Sequence, residues 1–136
     1  MKRPTWKNTV LAVFLAPALA LLPTALAFAG EGPALLLGVY AYGYPLALIV
    51  SIVFFLPWHM WQARGRQRPG WWRYALAGIV AAAVPLTVFN LIALGGEFRG
   101  NELLETFVFS CVHGALGGFV FHGLTWGFRR AAMDPA

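Results

Sequence analysis

Fourteen residues near the C-terminal end, Ser110 to Gly123 (SCVHGALGGFVFHG), place two histidines, the only cysteine and four glycines inside an apolar run. Imidazoles in such a setting can bind haem or a metal, relay protons, or serve as hydrogen-bond glue between helices. Helical phase separates the choices. At about 100° per residue, the nine positions from His113 to His122 span about two and a half turns, which sets the two rings on nearly opposite sides. They form no joint site on this helix. Ser110, Cys111, Gly114, Gly117, Gly118, Phe121 and His122 share one arc, opposite Val108, Phe109, Val112, Leu116, Phe119 and Val120. The small and polar arc is the expected packed face, with His122 pointing inward and His113 at the margin.

The remaining histidine is His59, in PWHMW. A bis-histidine haem through His59 and His122 is the competing cofactor reading. Against it stand a depth mismatch of about 6 Å at 1.5 Å per residue and small-residue tracks that leave little room for a porphyrin. The expectation is no cofactor and no metal. Asn90 and Thr87, one turn apart, form a second polar candidate that Thr106 or Ser110 could complete, with Glu97, Glu102 and Glu105 at its mouth. Tyr44 is a third, since a phenol just before Pro45 within an apolar run needs a partner for its hydroxyl. No carboxylate occurs mid-run, a lone Cys111 rules out a CxxC pair, and HExxH, GxSxG and Walker patterns are absent. The chain is therefore expected not to be an enzyme.

The elements that carry these residues follow from composition. Of 136 residues 60% are hydrophobic and 11% charged, against about 25% charged in ordinary soluble domains. Four runs reach the roughly 20 residues that a bilayer core demands: 10–29, 35–58, 72–94 and 103–128. Loops between them are short, so neighbours should be antiparallel. One domain, 1–136, is expected: an all-α integral membrane protein forming a compact antiparallel bundle of four transmembrane helices, with little internal void.

Charge sets the orientation. Nine of the ten basic residues, including Arg64, Arg66, Arg68 and Arg73, fall on one side of these runs, and only Arg99 on the other. The positive-inside rule makes both termini cytoplasmic, and all six tryptophans lie at the same predicted ends, at headgroup level. Arg64, Arg66, Arg68 and Arg73 are expected to touch anionic lipid. The net charge of +5 thus marks topology, and no module for reading nucleic acid accompanies it.

Small residues recur four apart in each run: Ala12, Ala16 and Ala20; Gly43, Ala47 and Ser51; Gly78 and Ala82; Ser110, Gly114 and Gly118. Such tracks let helix backbones approach closely, and Pro17, Pro45 and Pro85 should kink their helices. The first run ends in A-x-A patterns typical of a signal peptide, but it is long for a signal core and carries its own small-residue track, which favours a retained helix. Arginine outnumbers lysine in an Ala- and Gly-rich chain, pointing to a bacterial inner membrane. The expected function is non-catalytic, through helix-face contacts with another membrane protein or with itself: an accessory subunit, assembly factor or immunity-type protein. A small transporter or channel component is the alternative, and a haem or quinone redox protein a further one.

Overall fold

The computed structural model describes residues 5–27, 29–65, 69–93 and 100–127, omitting the side chains of 35, 36, 86, 89–91, 93, 100, 102 and 103. Every regular element among them is helical. Helix α1 covers Trp6–Ala27. A 3-10 turn at Ala29–Glu31 leads to Gly32, whose positive φ of 118° suits a residue without Cβ, and then to Pro33.

From there a second rod runs through residues 33–63 in five pieces: α2 (Pro33–Gly38), a π turn (Val39–Gly43), α3 (Tyr44–Val50), a second π turn (Ser51–Phe55) and α4 (Leu56–Ala63). Each π turn ends two residues before a proline, Pro45 or Pro57. A proline has no N–H to donate and its ring collides with the carbonyl four residues back, and a widened π turn relieves that collision without ending the helix. The rod therefore stays continuous where a break could be expected, and extends to Ala63 rather than stopping at Trp58.

Helix α5 is Trp71–Ala93 and α6 is Gly100–Trp126. Gly127, at φ 78°, supplies the left-handed residue that commonly terminates a helix. Three segments, Trp6–Ala27, Val39–Ala63 and Leu104–Trp126, are long and apolar enough to cross a membrane.

Helix α6 packs most extensively on α5 and next on α1, while the second rod meets α1 and α5 more lightly. A Cβ added at Gly78 would lie within bonding distance of the Gly114 carbonyl, and one at Gly118 would strike the Tyr74 carbonyl. Here α5 and α6 touch backbone to backbone. Only glycine on both sides allows that approach.

Candidate functional site

Two interior regions contain polar side chains. The first joins all four rods near the end that carries the 64–73 loop. His59 and Tyr74 are 1% and 0% exposed. The Trp126 indole N–H, which can only donate, lies 2.8 Å from the Tyr74 hydroxyl. Tyr74 has one proton to give, and His59 Nδ1 is 2.7 Å away. With Nδ1 accepting, Nε2 of a neutral imidazole carries the proton and donates to Thr9 Oγ1 at 3.3 Å. Thr9 in turn donates to the Thr5 carbonyl, also at 3.3 Å. This order satisfies every donor along the line. Reversing His59 would strand the Tyr74 proton.

Aromatic rings seal the network. Phe55 stands 4.8 Å from Phe121, Trp58 is 4.8 Å from Tyr74 in an edge contact, and His59 meets Phe121 at 5.1 Å. His122 is buried, as its helical phase implies. Its ring contacts Tyr74 at 5.1 Å, and its Nε2 donates to the Pro69 carbonyl at 3.1 Å.

The helix of His59 continues to Ala63, and the ring is buried on the inner face beside the Trp126 ring at 6.5 Å. His59 and His122 both contact Tyr74, which brings the two rings into one neighbourhood. A haem between them meets obstacles: both nitrogens of His59 and Nε2 of His122 are already hydrogen-bonded, and Tyr74 packs against both rings. Among the described residues no group of three or more His, Cys, Asp or Glu side chains is placed to hold a metal.

The second region is a chamber of about 200 Å³ in the middle of the molecule. Its wall is made by the small-residue tracks: Ala16 and Ala20, Gly43, Ala47 and Ser51, Gly78 and Ala82, Ser110, Gly114 and Gly118. A void of this size corrects the expectation of a bundle with little internal space. Gly78 and Gly114 do bring two backbones together, but a Cβ on Gly43 would meet only the end of the Leu21 side chain, and Ala47 and Ser51 face the open chamber. Phe55 and Phe121 close one end.

Little polarity reaches that chamber. Ser110, 1% exposed, donates back to the Thr106 carbonyl at 2.7 Å. His113 is half-buried at the margin of the packed face. Its Nδ1–H donates to the Phe109 carbonyl at 2.8 Å, leaving Nε2 to accept from the Thr24 hydroxyl at 2.5 Å. The ring is thereby tied to α1. An apolar cavity of about 150 Å³ stays dry and can hold benzene, so this chamber suits a small, largely apolar guest.

The other candidates are described only in part. Thr87 Oγ1 is buried without a hydrogen-bond partner among the described residues, and Ser110 is turned to its own helix. The Asn90 side chain, Arg66 and Arg68 lie outside the described residues. Tyr44 donates to the Phe14 carbonyl of α1 at 3.2 Å, with Tyr40 reaching the Ala18 carbonyl at 3.5 Å. Their hydroxyls are thus spent on rod-to-rod contacts. Arg64 is exposed, and Arg73 lies over the Trp72 ring at 5.2 Å. Cys111 is a free, partly buried thiol.

Sequence reasoning missed Tyr74, Thr9 and Trp126 as members of one network. A signal was present: Tyr74 lies four residues before Gly78, His59 four after Phe55, and Trp126 four after His122, so each continues a small-residue track. The chain matches no family model, no curated protein and no solved structure.

Proposed function

We propose that this chain is a four-helix membrane protein of a bacterial inner membrane, working without catalysis as a subunit or assembly partner of another membrane protein or of itself. In this reading the four rods form an antiparallel bundle, with both termini and the 64–73 loop cytoplasmic under the positive-inside rule. Ala12, Ala16 and Ala20, buried within α1, support reading residues 6–27 as a structural helix. Many large apolar side chains face outward, Leu11, Val53, Val80 and Val112 among them, as lipid or a partner helix would require.

One observation carries the non-catalytic reading. The three histidines and the buried tyrosine spend their hydrogen bonds on other helices and on carbonyls, so these four side chains serve as links between elements. Intramembrane polar groups used in this way act as glue. Solubilisation at native abundance in a mild detergent tests the assignment. The chain should elute at fixed stoichiometry with a second polytopic protein or with further copies of itself, and elution as a lone monomer would contradict it.

The chamber favours a second reading, a small transporter or channel component that takes an apolar solute. In that case Ala47→Phe, which fills the chamber, would abolish flux while leaving the amount of protein unchanged.

A further inference from the structure

A groove of about 890 Å³ separates the second rod from α5 on the outer side of the molecule. Leu76, Val80, Val84 and Val88 of α5 form one wall, Phe54 and Trp58 the other. At the end near the 64–73 loop the lining turns polar, with Gln62 and Arg73. We propose that this groove is a binding site for an anionic phospholipid, with acyl chain along the apolar walls and phosphate at Arg73 and Gln62. The proposal rests on the membrane assignment made above.

Dimensions admit this occupant. From Arg73 to Val88, fifteen residues at 1.5 Å give a length of about 23 Å, and the groove lies open along the outer face. A methylene chain needs only about 4 Å, the contact distance between carbon atoms, so acyl chains fit along the walls.

Charge and hydrogen bonding select the headgroup. The Arg73 guanidinium presents donors in a fork that matches a phosphate. Trp72 beneath it holds the cation by its ring face, and the Gln62 side chain beside it lines the same end of the groove. The donors stand where the lipid interface would lie, at one end of the apolar walls. A zwitterionic lipid would place its own cation beside Arg73, whereas phosphatidylglycerol adds no second positive charge.

The full-length protein, purified in mild detergent, is mixed with phosphatidylglycerol or phosphatidylcholine of identical acyl chains, and bound lipid is measured by native mass spectrometry. The wild type should retain phosphatidylglycerol about fivefold better, the factor expected for one basic side chain near an anionic group. Arg73→Gln should erase that preference while still retaining lipid. Val80→Trp, which fills the groove, should lose both lipids, with Val84→Phe as a milder version if the first does not fold. Equal retention of the two lipids by the wild type, or unchanged retention in the folded groove-filled variants, would overturn the proposal. Resistance of the protein to alkaline carbonate extraction separates the two levels. A chain that washes off defeats the membrane assignment and the lipid site together, whereas an extraction-resistant chain without lipid preference defeats the groove alone.

Discussion

The second rod, α5 and α6 each turn a stripe to the interior, and the three stripes are read at two levels. At one level the stripes hold Gly43, Ala47, Ser51, Gly78, Ala82, Ser110, Gly114 and Gly118. At the other, the same four-residue steps reach Phe55, His59, Tyr74, His122 and Trp126. Large rings at the second level meet and set the spacing of the rods. The small side chains at the first level cannot reach across that spacing, so a chamber of about 200 Å³ remains, except where facing glycines let α5 and α6 close completely. Side-chain size along a stripe, more than the presence of a stripe, decides whether two helices touch by backbone, by side chain or not at all.

Breaking the glycine contact should cost most. Gly118→Val puts a Cβ onto the Tyr74 carbonyl, and because backbone cannot rotate away, unfolding in mild detergent should require about 3 kcal/mol less free energy, at the upper end for overpacking. Tyr74→Phe should come next. It strands the Trp126 N–H and His59 Nδ1 together, a loss of about 2 kcal/mol by the same assay, given the usual penalty for unpaired buried groups.

The chamber level should respond with the opposite sign. Ala47→Val adds methyl groups facing open space and should raise stability by up to about 1 kcal/mol, as cavity filling commonly does. A loss as large as that of Gly118→Val would mean that the rods are in contact there. Smallest of all, Thr24→Val removes one bond to His113 and should cost about 0.6 kcal/mol, the mean for hydrogen bonds between membrane helices.

Much of α6 was legible before any coordinates. The arc of Ser110, Gly114 and Gly118 against Val108 and Val112 is a local consequence of helical phase, and the same phase turned His122 inward. The second rod was less so, because Pro45 reads as a kink and Pro57 drew no such expectation, while the π turns that absorb both depend on hydrogen bonds between i and i+5. The His59 network was the hardest to see. Thr9, His59, Tyr74 and Trp126 are far apart in the chain, and no local spacing brings them together. The chamber was hidden for another reason: small residues four apart accompany both close contact and empty space, and only the bulk of neighbouring levels tells them apart.

In the proposed non-catalytic reading, His59 and His113 are held by fixed, directional hydrogen bonds. Imidazole ¹⁵N NMR of the labelled protein tests this most directly, because chemical shifts report which ring nitrogen carries the proton. The bonding order requires neutral His59 with its proton on Nε2 and neutral His113 with its proton on Nδ1, opposite tautomers in one protein. A proton on Nδ1 of His59, or averaging of its two nitrogens by exchange, would contradict the account and reopen the site to a catalytic or proton-carrying role.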